Sequence, residues 1–189
     1  MDRIVIGISG ASGAPIAMEL LKVLKEAAPG IERHLIVTKG GEMTIASETA
    51  LSLDEVRSLA DVTHSADALG ASVASGSFKT MGMAVVPCSM KTAAGIALGF
   101  SDNLLLRAAD VTLKERRKLV LVARECPLGT VHLRNLLTLS ELGAVILPPV
   151  LSYYNHPETI RDATRHVVGK IMDCFGLEYD RFVRWEGME

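Results

Sequence analysis

Five short apolar runs, Arg3–Ile8, Arg33–Val37, Met83–Pro87, Leu119–Ala123 and Ala144–Leu147, recur along the 189-residue chain with longer segments of helical period between them. Each run is short, apolar and β-branched enough to read as a strand. Strands that alternate with helices imply a parallel sheet covered on both faces. The expectation is therefore an α/β fold, a Rossmann-like (flavodoxin-like) parallel sheet formed as one domain over residues 1–189, because the chain is short for two cores.

A first helix is expected over Pro15–Ala27, with the proline in its first turn and Leu20, Leu21 and Leu24 on one face. Further helices are expected over 41–50, 54–60, 90–97, 102–114, 130–142 and 157–175, the last starting at Pro157-Glu158 and stopping near Gly176. Residues 61–82 are the least regular stretch.

Ligands of open parallel sheets sit beyond the carboxyl ends of the strands. The residues at those positions are unusually polar: Ser9 to Gly13, Thr38-Lys39, Cys88-Ser89-Met90-Lys91-Thr92, Arg124-Glu125, and Pro148-Pro149 followed by Tyr153-Tyr154. The first of these loops, in IVIGISGASGAP, places glycines at 7, 10 and 13. A glycine-rich turn into a helix suits an anion, but this spacing is neither the dinucleotide fingerprint nor the Walker A loop. Ser89, Lys91 and Thr92 open a second helix in the same way, either as a cap or around a phosphate. No acid ends the second strand to hold a ribose diol, so one terminal phosphate, as in FMN, fits better than a dinucleotide.

Arg124-Glu125 reads as a phosphate grip and a proton carrier, or as a plain ion pair. Glu48 is either a surface helix residue or an acid reaching the rim. Arg107, Lys114, Arg116 and Arg117 read as one helix, mostly solvated. Trp185 is a packing anchor or an aromatic lid. Cys88 reads as a small buried residue rather than a nucleophile, and His132 and His156 have no partner at metal-ligand spacing.

Composition narrows the classes. A net charge of −2 with no basic stripe argues against nucleic acid. No apolar run reaches the ~18 residues of a membrane span. Three scattered cysteines suggest neither a disulfide framework nor a zinc site, and fit a cytoplasmic protein. With 49% hydrophobic residues but only 4% aromatic, aliphatic side chains must cover much surface, which hints at a large subunit interface.

The stretches GISGASGAP, PCSMKTAAGIA, DNLLLRAADVTLKERRKLVLVARE, HLRNLLTLSELGAVILPPV and YYNHPETI, with a closing RW, resemble the UbiX/Pad-type flavin prenyltransferases from about residue 3 to 187. The resemblance implies a metal-independent enzyme that joins the dimethylallyl group of dimethylallyl phosphate to N5 and C6 of reduced FMN. Prenylated FMN then serves a UbiD-type decarboxylase. It also implies a homododecamer with sites at subunit contacts. By resemblance, Gly10, Ala11, Ser12, Thr38, Ser89, Met90, Lys91, Thr92 and Arg124 hold the flavin. Arg107, Lys114, Arg124, Tyr154 and Lys170 hold the prenyl phosphate, Trp185 closes over the allyl group, Glu125 with Ser12 relays the proton, and Glu48 is an acid near the flavin.

Two positions depart from many relatives: Lys170 stands where an arginine is common, and Cys126 where a threonine is common. Two alternatives share the flavin. A flavin-dependent cysteine decarboxylase is disfavoured because the third-strand loop reads PCSMKT instead of PASANT. An FMN electron carrier would bind flavin and transfer no group.

Overall fold

The computed structural model describes residues 2–187. Six parallel strands form one sheet: β1 (Asp2–Ile8), β2 (Ile31–Val37), β3 (Val62–Ser65), β4 (Gly82–Cys88), β5 (Lys118–Ala123) and β6 (Val145–Ile146), in spatial order β3-β2-β1-β4-β5-β6. This is the doubly wound Rossmann order, which reverses direction at β1. β1 pairs with β2 on one side (Ile8 opposite Val37) and with β4 on the other (Gly7 opposite Val85), so the loops after these three strands emerge together.

The five expected strands correspond to β1, β2, β4, β5 and β6. The sixth, β3, lies in the stretch read as irregular. It is a four-residue edge strand with alternating half-exposed and exposed residues, so it carries no apolar run to mark it.

Helices α1 (Ala14–Ala27), α2 (Lys39–Glu48), α3 (Leu53–Arg57), α4 (Met90–Ala97), α5 (Leu104–Lys114), α6 (Thr130–Glu141) and α7 (Ile160–Cys174) join the strands, with a short 3-10 turn at Ser72–Ala74. Several boundaries shift by one to three residues from expectation, and two departures have a visible cause. α7 starts at Ile160, not Pro157, because Thr159 is a better cap: its hydroxyl accepts from the Asp162 amide while the Asp162 carboxylate returns to the Thr159 amide. Arg116 and Arg117 lie outside α5. Arg116 adopts φ 57°, which ends the helix, and Arg117 turns back to donate to the carbonyls of Gly76 and Phe78.

Alternation along β1 divides the core. Ile4, Ile6 and Ile8 pack under α1 and α7 on one face, whereas Val5, with Met83 and Val85 of β4, packs under α5 on the other. All six of these β1 and β4 residues are at most 2% exposed. A rigid sheet thus carries every strand-end loop at one rim. No helix among the described residues is long and apolar enough to cross a membrane.

Candidate active site

The three glycines of the first loop have three separate tasks. Gly7 clears the α5 layer, since a Cβ there would lie 2.9 Å from Leu105. Gly13 sits at φ 127°, a backbone conformation that side chains disfavour, and turns the chain into α1. Gly10 lets the loop meet α2 backbone to backbone, with a Cβ only 3.0 Å from Gly40 Cα. Ser9, 1% exposed, then ties this loop to the next strand: its hydroxyl donates to Pro87 O at 2.9 Å and accepts from the Ser89 amide at 2.8 Å.

These contacts frame a cleft of 460 Å³ ringed by the starts of three helices. Thr38 caps α2, accepting from the Gly41 amide at 3.1 Å; Ser89 caps α4, accepting from Thr92 at 3.3 Å; Asn103 caps α5, accepting from Leu106 at 3.1 Å. Ser89 is thus the cap that one of its two readings described, in a loop that also faces the cleft. The first-turn amides have no intrahelical acceptor, and neither α4 nor α5 has an acid in its first turn. Gly10, Lys39, Lys91 and Thr92 complete the lining, with Asp67 and Asp102 at its edge. Convergent helix starts beside two lysines fit a phosphate-bearing ligand, and the volume lies in the range of small-molecule sites. The cleft therefore fits FMN. Met90 opens α4, half-buried; Ala11 lies in the tight turn of the first loop, its amide on Ser9 O at 3.0 Å.

The start of α1 is different, and here the anion expected at the first loop is supplied by the protein itself. Glu48, the last residue of α2, accepts from the amides of Gly13 and Ala14 with Oε2 at 2.8 and 2.9 Å. Burial pushes the Glu48 carboxyl up, but the hydrogen bond from Ser12, the two amides and the charge of Arg124 outweigh it and hold it below its ordinary range. Ser12 and Glu48 also border a 500 Å³ pocket whose other walls include Pro149, Leu151, Ile160 and Val167. The first loop thus separates two spaces, a polar cleft at Gly10 and an apolar one at Ser12.

Arg124 and Glu125 follow β5 at the same rim, both exposed. They form no ion pair with each other: the Arg124 amide donates to Cys88 O at 3.1 Å, and Glu125 Oε1 accepts from Cys126 N at 3.0 Å. Cys88 is fully buried, and burial pushes its thiol up to about 12, which makes it inert as a nucleophile.

Tyr154, Lys170 and Trp185 form a second group, on the outer side of α7. The Tyr154 ring stands edge-on to Trp185 at 5.4 Å and to His166 at 5.8 Å. Lys170 Nζ lies 3.6 Å from Asp173 Oδ2, and Arg184 grips the same carboxylate at 2.7 and 3.0 Å. His166 had no place in the sequence reading. A lone histidine on an amphipathic helix gives no signal to separate it from a core residue.

Lys114 is not brought to the rim, and Arg107, one turn into α5, is engaged beside it by other partners. α5 starts there, with the Leu104 amide on Ala66 O at 2.7 Å, and runs down to the opposite edge of the sheet. Lys114 ends it, roughly 15 Å from its start, paired with Glu115. Arg107 donates to Ala74 O at 3.2 Å and to Asp110 at 2.7 Å. Among the described residues, no three His, Cys, Asp or Glu side chains gather as a metal site.

A family model described as Flavoprotein matches residues 1–175. A "Probable UbiX-like flavin prenyltransferase" of Sedimentibacter hydroxybenzoicus is 53% identical over 98% of this chain and 97% of its own. Two crystal structures superpose with a TM-score of 0.96. One, a dodecameric FMN-dependent UbiX-like decarboxylase from Escherichia coli O157:H7, is 50% identical over 98% of this chain and all of its own. The other, AnUbiX (PadA1) in complex with FMN and dimethylallyl pyrophosphate, is 47% identical over the whole chain and 99% of its own.

Proposed function

The chain belongs to the Flavoprotein family, among its UbiX-like flavin prenyltransferases, and from that membership we propose how its residues divide the work of prenyl transfer. The reaction joins the dimethylallyl group of dimethylallyl phosphate to reduced FMN. When bound, reduced FMN supplies the nucleophilic N5 and C6. Gly10, Ala11, Ser12, Thr38, Ser89, Met90, Lys91, Thr92 and Arg124 hold it, with its phosphate on the helix starts of the polar cleft. The carrying observation is this cleft, set one loop away from Ser12, the Glu48 carboxylate and the apolar pocket they border.

Breaking an allylic C–O bond leaves a phosphate dianion and places positive charge on carbon, so the protein must offer fixed donors to the one and a π-face to the other. Tyr154, Lys170 and Arg124 donate to the leaving phosphate, and Trp185 covers the allyl group. Glu125 takes the proton released on ring closure. Ser12, which borders the same pocket as Glu48, accepts and passes that proton. Glu48 is the orienting acid beside it.

Lys114 serves a site only where another copy's rim meets the far end of α5, whereas Arg107, one turn into the helix, stands nearer its own chain's rim. Support for such an assembly comes from exposed apolar side chains, Leu98, Phe100, Val131, Leu137 and Val150, each at least 60% exposed, and from the dodecamer of the Escherichia coli relative. We assign the product to a UbiD-type decarboxylase and the enzyme to the cytoplasm, where its three unpaired cysteines remain reduced.

The test is anaerobic incubation with reduced FMN and dimethylallyl phosphate, read by mass spectrometry of the extracted flavin. A flavin heavier by one prenyl unit is expected. Unmodified flavin at full site occupancy would overturn the assignment, and would favour an electron carrier if Ala at Glu125 left the reversible cycling of the flavin unchanged.

A further inference from the structure

His166 lies in the middle of α7, 9% exposed, and its Nδ1 is buried without a hydrogen-bond partner. An unpaired buried acceptor costs free energy that an apolar ring of the same size would avoid. A polar atom kept at that expense needs a partner, and none of the described residues donates to it or accepts from it. Packing does not call for it, since the ring is already wedged edge-on between Tyr154 at 5.8 Å and Phe182 at 5.6 Å.

One donor is poised to reach it. Lys170 is four residues on, on the same face of α7, and helical side chains lean toward the amino end, which carries a lysine at this position over His166. The charge of Lys170 is already felt there: burial first and that charge second push the imidazole below its ordinary range, which keeps it neutral and able to accept. The present partner of Lys170 is a weak one. Asp173 lies 3.6 Å away and its carboxylate is already filled by Arg184 through two shorter bonds. A lysine ammonium carries three donors and no fixed fork, so its direction must be set by a neighbour.

We propose that His166 is the positioning residue for Lys170: when a prenyl phosphate docks at Tyr154, the ammonium leaves Asp173, donates one hydrogen to His166 Nδ1 and directs a second at the phosphate. The inference rests on the prenyl-transfer reading. It adds a resting and a loaded position of Lys170, with Asp173 and His166 as the two stops.

Three variants test it, by KM for dimethylallyl phosphate, kcat and FMN affinity. His166→Asn keeps a polar atom near the Nδ1 position, His166→Gln near the Nε2 position, and His166→Phe keeps only the ring. Phe and Gln should raise KM about tenfold with kcat within about twofold, and Asn should stay within about threefold of the parent. FMN affinity should not move. A pure packing role gives the opposite order, with Phe tolerated and Asn harmful. That order, or equal KM in all three, would overturn the proposal, as would loss of the fold in all three. If Phe alone does not fold, the contrast of Asn with Gln decides. Should the parent protein form no prenylated flavin, the prenyl-transfer reading fails instead, and calorimetric Kd values for dimethylallyl phosphate replace KM in the same comparison.

Discussion

Glu48 Oε2 accepts the amide of Gly13 at 2.8 Å, so a carboxylate from the end of α2 closes the start of α1. The same oxygen takes the Ala14 amide at 2.9 Å. A helix start that would otherwise attract a ligand's phosphate is thereby filled from within, while the starts of α2, α4 and α5 face the polar cleft. Ser12, beside Gly13 in the same loop, also helps to hold this carboxylate below its ordinary range.

Glu48→Ala should therefore cost stability as well as activity. Loss of an ionised cap on two helix amides is worth about 1 kcal/mol. Because folding lowers the Glu48 pKa, its contribution is present above the unfolded value of 4.5 and is lost as pH falls through the lower folded value. Urea unfolding of parent and variant should show the full gap at pH 7 and a closing gap in the acid range below 4.5. A gap that instead widened on acidification would show that the carboxylate is not held in its charged form.

Ser12→Ala removes the hydroxyl between the two spaces while leaving the backbone of the loop intact. FMN affinity should stay within about threefold, since the cleft is built from other helix starts. Turnover should fall roughly tenfold to hundredfold, the range for loss of an assisting proton carrier. Stopped-flow measurement of flavin modification at saturating dimethylallyl phosphate reads this directly, and an unchanged rate would remove Ser12 from the relay.

Gly10 and Gly70 offer a matched pair. A Cβ at Gly10 meets Gly40 backbone at 3.0 Å, where nothing flexible can yield, while one at Gly70 meets nothing within 4 Å. Gly10→Ala should destabilise by ~1–3 kcal/mol and weaken FMN, because the two loops that form the cleft must part. Gly70→Ala should change stability by no more than about 0.5 kcal/mol. Thermal unfolding with and without FMN separates the two, and equal behaviour would show that the close approach is not required.

These residues also mark how far the sequence could be read. The central strands were legible because burial on both faces writes a continuous apolar run, as in LVLVA of β5; β3 was hidden because an edge strand needs no such run. The glycine spacing revealed a special loop, but not that Gly7, Gly10 and Gly13 answer to three different neighbours. Glu48 was an open alternative because its partners are the amides of Gly13 and Ala14, 35 and 34 residues away, and backbone groups leave no trace in side-chain identity. His166 escaped because a lone histidine on an amphipathic helix reads like any core residue, and the far position of Lys114 because it depends on the direction in which α5 runs. Spacing places a residue on a helix face, but it does not say which end of that helix reaches the rim.

Lys114 then supplies the sharpest test of assembly. It ends α5 at the edge of the sheet opposite the rim that carries Glu125, so no rotamer of either side chain lets the two act in one chain's site. If Lys114 contributes to prenyl transfer, it does so in a neighbour's site. Lys114→Ala and Glu125→Gln should each lose most activity while still binding FMN. Dissociating the two variants and reassembling them together should restore roughly a quarter of the parental rate, the share of sites that draw an intact Lys114 from one subunit and an intact Glu125 from another. Failure of the mixture to exceed either parent variant, with mixed oligomers verified by mass, would confine each site to one chain and exclude Lys114 from it.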